Sequence, residues 1–313
     1  MNMKSLFPIV LLLIANVVSA QSTSGQPKWK VTVKVMDEDG NPITGANVGI
    51  GSYSNSVPIG MNGLSDDNGM FTLSANGAGV VSCGAEKPGY YRSTGVKKEF
   101  RDQIDGKWQP WNPVLELKLR PIGNPIAMYA RRIETKLQSE DEALGFDLMV
   151  GDWTAPYGKG RITDMFFTVH RQMTGDHEYN AELKLTFPNR QDGIAVAPSE
   201  FQTGSAFTTS RTAVETGYEP QRIWSYRNDT RPESVYGYFF RVRTVLDENG
   251  KIKSALYGKI RGDFRFYVGT KAPHAGIGFD YYLNPTPNDR NLEFDPTKNL
   301  FRGLPFDQQI REP

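Results

Sequence analysis

Residue types that do covalent or metal chemistry are few and scattered in this chain. It has three histidines and one cysteine. Gly175-Asp176-His177-Glu178 offers oxygen and imidazole ligands for a divalent ion. Neighbours in one turn seldom converge on a single ion, so the run reads as a solvated hairpin tip. Asp37, Asp39, Asp66 and Asp67 are calcium-type ligands, but their setting is that of ordinary acidic turns. Cys83 sits in the apolar run Val80–Ala85 and reads as a small buried hydrophobe, not as a nucleophile. A glycoside hydrolase needs two carboxylates roughly 5–9.5 Å apart. A lyase needs a cationic or imidazole neutraliser and a Tyr, Lys or His base. Tyr157, Lys159, His170, Arg241 and Arg243 are of the right kinds, yet no spacing brings them together. There is no nucleophile elbow, phosphate loop or His-Glu-x-x-His run. No metal site and no cofactor are expected.

Two segments have the composition of a binding surface. In Gly151-Asp152-Trp153-Thr154-Ala155-Pro156-Tyr157-Gly158-Lys159-Gly160, the glycines let the backbone turn and approach a ligand, and Pro156 stiffens the loop. Trp153 and Tyr157 supply flat faces, and Asp152 and Lys159 supply polar contacts of opposite sign. The competing reading makes Trp153 a core plug. The second segment, Asp105–Pro113, carries Trp108 and Trp111 in a polar loop broken by prolines. They suit a sugar-stacking platform, or packing over the open end of a sandwich or against a neighbouring domain.

The elements that hold these loops follow from composition and patterning. At about 100–200 residues per domain, 313 residues make about two domains. Hydrophobic residues are 38% and charged residues 23%, as in an ordinary globular chain, and the 31 Gly and 20 Pro break long helices. The balance of 36 Lys+Arg against 35 Asp+Glu gives no basic field, which excludes phosphate-driven nucleic-acid binding. One cysteine excludes an internal disulfide framework and a Cys-rich zinc site. Residues 1–20 pair a lone Lys4 with an apolar run of about 13 residues and end in Val18-Ser19-Ala20. They read as a signal peptide cleaved after Ala20, too short to span a membrane, and no cysteine is placed to carry a lipid. A flexible lead-in, 21–27, follows. The expected protein is therefore exported, periplasmic or secreted, and not membrane-spanning.

From 28 to 120, about seven short runs alternate at period two between turns. Examples are Trp29–Val35, Met70–Leu73 and Val114–Leu119. The pattern predicts a small antiparallel β-sandwich. The run Val-x-Val-x-Val-x-Asp-x-x-Gly-x-Pro-Ile-x-Gly-Ala-x-Val at 31–48 resembles the opening of carboxypeptidase-regulatory-like domains, which are prealbumin-like sandwiches. Ser65–Phe71 and Lys87-Pro88-Gly89-Tyr90 are similar to that family's second and third landmarks. The resemblance covers about a third of the chain. It implies an Ig-like accessory or spacer module and brings no catalytic residue with it.

Pro121–Pro125 is the expected linker to an all-β domain over 126–313. Ile126–Leu137 reads as a strand. Ser139-Glu140-Asp141-Glu142 matches a capping box for a single helical turn. Gly145–Val150, Arg161–His170 and Tyr179–Phe187 are strand-like. Asp247-Glu248-Asn249-Gly250 closes a hairpin, and Gly262–Val268 and Gly276–Leu283 give two more strands. Residues 188–235 are polar and too long for a simple connection, so they read as a functional excursion or a partly mobile stretch. The domain is expected to be a jelly-roll-like sandwich. Its wording at 151–160 and at Asn284–Arg290 is similar to uncharacterised exported bacterial proteins. Taken together, the sequence reads as all-β, with two antiparallel β-sandwiches in an exported, non-catalytic accessory protein. Its expected partner is a polysaccharide or an envelope component. A carbohydrate-active enzyme in the second sandwich and a purely structural interaction protein stay open as alternatives.

Overall fold

The computed structural model describes residues 25–54, 57–175, 178–198, 204–228, 232–269 and 274–313. The expected signal peptide, and Asp176 and His177 of the hairpin tip, lie outside them. No helix among the described residues is long and apolar enough to cross a membrane.

The first eleven strands are β1 (Lys28–Met36), β2 (Asn47–Ser54), β3 (Val57–Leu64), β4 (Met70–Asn76), β5 (Val80–Glu86), β6 (Tyr90–Tyr91), β7 (Ser93–Glu99), β8 (Asp102–Ile104), β9 (Lys107–Gln109), β10 (Val114–Lys118) and β11 (Arg120–Pro121). They form one sheet in the order β10-β1-β9-β8 with β4 also on β1, a second in the order β3-β2-β5-β7, and the short pair β11-β6. Alternation does the work: Trp29, Val31, Val33 and Val35 of β1 point inward and meet Val48, Ile50, Val81 and Cys83 of the second sheet in one core. The sandwich is not wholly antiparallel, because β1 runs parallel to β10. Thr32 to Met36 pair with Val114 to Lys118, so the last long strand of this half lies beside the first.

The remaining strands are β12 (Tyr129–Lys136), β13 (Leu144–Asp147), β14 (Asp152–Trp153), β15 (Met165–Met173), β16 (Tyr179–Thr186), β17 (Gly193–Val196), β18 (Gln221–Arg227), β19 (Gly237–Leu246), β20 (Ile252–Tyr267) and β21 (Gly276–Asn284). Two five-stranded antiparallel sheets result, β12-β21-β20-β19-β17 and β14-β13-β15-β16-β18. Their facing sides share an aromatic core. Phe279 stacks on Phe167 at 5.4 Å and meets Phe146 edge-on at 5.5 Å, between ring centroids. The outer side of the first sheet packs Met128, Phe239, Tyr257 and Tyr282 under Leu292 and Phe294 of the irregular stretch that follows β21.

Three expectations change. The 188–235 stretch contributes β17 and β18, an edge strand to each sheet. Residues 262–267 are no separate strand but the end of β20, which continues through a bulge between Arg261 and Arg265. The capping box at Ser139 makes no helical turn. Glu140 is drawn instead to Arg171 at 2.7 Å, and Asp141 to His170 at 2.6 Å, with a left-handed backbone at Asp141. Side-chain partners on β15 outcompete the local helix signal.

Cys83 is buried, and burial pushes its thiol up to about 12. The native thiol should therefore react with a disulfide reagent at pH 8 only as fast as the protein unfolds. Cys83→Ser, which buries a hydroxyl in that apolar site, should cost about 1–3 kcal/mol in a urea melt. Rapid native labelling would contradict this placement.

Candidate functional site

The 151–160 loop is built on a carboxylate that its own composition does not reveal. Asp147 ends β13 and is 2% exposed. One oxygen accepts the amides of Met149 and Val150, and the other accepts those of Arg161 and Ile162, all within 3.1 Å. The two ends of the loop are thereby gathered on one side chain. Arg243 completes the knot, bonding Asp164 through Nε (2.7 Å) and Asp147 through Nη2 (3.0 Å). A break in register between Val242 and Val245 and a positive φ of 55° at Arg243 place that side chain there. Asp192 holds the bulge by accepting the Arg243 and Thr244 amides. Burial favours protonation of Asp147, but the loop amides and Arg243 outweigh it and hold the carboxyl below its ordinary value. For Asp164, burial prevails over Arg243 and moves it upward.

Within the loop, Asp152 accepts the Trp153 and Lys159 amides and closes the turn. Trp153 is 6% exposed, with its ring edge-on to Phe146 and Phe167 in the core. Tyr157 and Lys159 lie at the surface, and the Tyr157 hydroxyl donates to Glu142 at 3.0 Å. Trp108 and Trp111 belong to the other half. Trp108 stacks on Phe100 and donates to the Gly77 carbonyl, whereas Trp111 is more exposed and lies under the Lys107 ammonium. So Asp152, Trp153, Tyr157 and Lys159 share one loop, and Trp108 and Trp111 share another. Among the described residues no three His, Cys, Asp or Glu are grouped as a metal site.

A denser polar arrangement lies where residues 28–121 meet the rest. Glu293, 1% exposed, accepts the Tyr91 hydroxyl (2.7 Å) and the amides of Gly123 and Asn124 in the expected linker. Arg120 is buried, pairs with Glu38 at 2.7 Å, and donates to the carbonyls of Phe207 and Thr209. The Phe207 ring lies 4.6 Å from the Arg120 guanidinium and 4.3 Å from Lys259 Nζ, and Lys259 also faces the Tyr282 ring at 4.7 Å. Burial, with the like charges Arg261 and Arg120, pushes Lys259 well below the usual lysine range, against the pull of Glu293. Backbone joins the halves as well: Thr94 donates to Gly204, and Ala206 donates to Arg92. Gly204 is required there, since at φ 102° a Cβ would stand 1.8 Å from the Thr94 carbonyl.

Two clefts open beside this seam. One, of about 610 Å³, has Tyr90, Lys87 and Glu86 on one side and Arg311 and Glu312 on the other. The second, of about 630 Å³, is lined by Arg92, Arg132, Arg261, Asp280 and the half-exposed Tyr236. Each lies within the range of small-ligand sites, about 300–1,000 Å³. Arg92, Ala206 and Glu312 line both. Glu312 bonds Arg92 through one carboxylate oxygen and Arg261 through the other (2.8 Å). Burial alone would raise its pKa, but the bonds from Arg261 and Arg92 prevail and hold it below its ordinary value. Sequence reasoning passed over the seam residues. One signal was available: Ala255, Tyr257 and Lys259 share a face of β20, placing a lysine in an apolar file.

No family model matches the chain, and no curated protein matches it. Solved structures similar to it include a streptococcal ancillary pilin at 11% identity, with 69% of this chain and 54% of the pilin covered and a TM-score of 0.23. The chain thus spans about half the length of that pilin. A DUF3823 family protein from Parabacteroides merdae is 8% identical, with 86% of this chain and 100% of that one covered and a TM-score of 0.24. A Bacteroides uniformis protein, provisionally described as carbohydrate binding, is 10% identical, with 80% and 96% covered and a TM-score of 0.22. At these TM-scores no shared global fold is defined.

Trp153→Ala should cost about 3–5 kcal/mol, the range for emptying a large aromatic from a core, whereas Lys159→Ala should stay within about 0.5 kcal/mol. Equal effects in chemical denaturation would refute the division of that loop into a buried and a solvated part.

Lys259 makes a pH-dependent prediction. Its folded pKa is depressed, so between that value and about 10.4 the unfolded chain binds more protons, and stability rises with pH. Lys259→Met keeps the contact with both rings and cannot take up a proton, so it should be neutral or stabilising at pH 7. Its advantage over wild type should shrink as pH rises from 7 towards 10. An advantage that grows instead would contradict the assignment.

Proposed function

We propose that the chain is an exported, cell-envelope-associated, non-catalytic accessory protein that binds a saccharide in the clefts between its two halves. The observation that carries this reading is the lining of those clefts. Tyr90 and Tyr236 offer ring faces, and Arg92, Arg132, Arg261, Asp280 and Glu312 offer hydrogen-bonding edges. Stacking plus directed polar contacts suits a pyranose, which has an apolar face and a hydroxyl rim. The walls are preorganised by the seam, which limits the ordering needed on binding. Export rests on the leader pattern at 1–20. Residues 28–120 form the carboxypeptidase-regulatory-like module on this reading, 121–125 the linker and 126–313 the second domain.

The hydrolase alternative would need free facing carboxylates. Asp147 and Asp164 do face one another across Arg243, but both are buried and committed to that guanidinium and to backbone amides. One observation favours the interaction-protein reading instead. The edge strand β3 exposes Val57 and Met61, and Tyr53 is exposed on β2, all at about 60%.

A glycan array with the mature protein, repeated with Tyr236→Ala, tests the proposal. The wild type should retain a defined glycan set, and the variant should lose it with an unchanged melting temperature. An array without hits, or hits indifferent to Tyr236, would overturn the cleft reading.

A further inference from the structure

We infer that the clefts take a carboxylated saccharide, a uronate, whose acid group is clamped between Arg92 and Arg261 in the position now filled by the side chain of Glu312. The inference rests on the saccharide reading above and specifies the ligand's class. Glu312 does what such a ligand would do. Its two oxygens are divided between guanidinium groups on opposite walls, Arg92 from the 28–121 half and Arg261 from β20. A carboxylate shared between two arginines is a strong, geometrically demanding contact. Here it is made by a side chain about a third exposed, against arginines 53% and 37% exposed, so an incoming acid can reach it from solvent.

The charge inventory points the same way. In the second cleft Arg92, Arg132 and Arg261 face Asp280 and Glu312. Asp280 is already committed to Arg132 (2.9 Å) and Arg265 (2.9 Å). If the Glu312 side chain turns away, Arg92 and Arg261 are left without a carboxylate, and an acid from solvent restores the balance. The exchange replaces like with like, so the site is not left with uncompensated charge. The Glu312 backbone stays in place, because its carbonyl accepts the Tyr282 hydroxyl at 3.0 Å. Only the side chain must move. Glu312 lines both clefts, so an acid in its place would sit between the cleft that holds Tyr90 and the cleft that holds Tyr236. Ring faces at both ends favour a uronate oligosaccharide over an acidic peptide, which would leave the tyrosines without a stacking partner.

The test is calorimetry of the full mature chain with tetragalacturonate, its methyl ester and tetraglutamate. The acid should bind at least tenfold more tightly than the neutral ester, and its affinity should fall as salt is raised. Glu312→Gln, which removes the internal competitor, should tighten the acid about tenfold and leave the ester unchanged. Arg92→Gln, at an exposed side chain, should weaken the acid at least tenfold without lowering the melting temperature. Equal binding of acid and ester, or no gain from Glu312→Gln, would overturn the clamp. If a neutral glycan still binds and depends on Tyr236, the saccharide reading survives that result. If neither tetragalacturonate, its ester nor any arrayed glycan binds, both readings fall. Binding of tetraglutamate in preference to the sugar would replace the uronate with an acidic peptide.

Discussion

Arg120 is the hinge of the structure's energetics. It is a guanidinium with almost no exposure, placed where two hydrophobic cores end and meet. A buried charge of this kind is tolerable only if its hydrogen bonds are satisfied and an opposite charge is close. Glu38 supplies the charge from the first half, and the Phe207 and Thr209 carbonyls supply acceptors from the second. The bonds to the two carbonyls therefore exist only when both halves are docked. Glu293 repeats the logic with the opposite sign, drawing on Tyr91, Gly123 and Asn124. Separating the halves would expose few apolar side chains, since Tyr91, Ala206 and Phe207 form the small cluster between them. It would also break the charge-assisted bonds that cross from Arg120 to the Phe207 and Thr209 carbonyls and from Glu38 to Arg211. The seam is thus a polar lock, specific in geometry even where its net free energy is modest.

Phe207 shows why this lock is compact. Its ring has cations close by in Arg120 and Lys259 and an aromatic neighbour in Tyr91, with ring centroids 5.3 Å apart. One apolar side chain from the 204–213 stretch therefore lies against two basic side chains at once. The Asp147–Arg243 knot solves a related problem inside the second half. There the long loop after β13 must return to β15 across the end of a packed core. Four loop amides that have no sheet partner end on one carboxylate. Both arrangements place an ionic group where backbone cannot satisfy itself by sheet pairing.

How much of this was legible depends on the range over which each signal acts. Alternation in β1, β16 and β19 to β21 is local, so the all-β architecture and most strands could be read directly. The Asn249-Gly250 turn marked its hairpin for the same reason. The 188–235 stretch was opaque, because β17 and β18 are edge strands whose partners are supplied by β19 and β16. Ser139–Glu142 had the right local pattern and lost to ion pairs with β15, a contact no window around residue 140 contains. Of the loop residues singled out for binding, Trp153 has a fate set by Phe146 and Phe167, a core visible only after folding. Arg120, Glu293 and Arg243 look like ordinary surface charges in sequence. A buried ion pair has no signature until both members are placed.

The same asymmetry bears on where a ligand would act. A loop closed on itself, as at 151–160, has spent its backbone donors on Asp147 and Asp152. Its side chains are either in the core or solvated one by one. The clefts at the seam differ because their polar groups come from separate parts of the chain, with Arg132 paired to Asp280 and Glu312 shared between Arg92 and Arg261. Arg92 sits between β6 and β7 of the first half and Arg261 on a bulged strand of the second, so separate backbones carry the two guanidinium groups. Polar groups positioned by separate, packed elements are what a binding site needs. The seam that joins the halves is therefore also what keeps the cleft open. Loosening Arg120 or Glu293 would blur the spacing of Arg92 and Arg261 before it unfolded either sandwich.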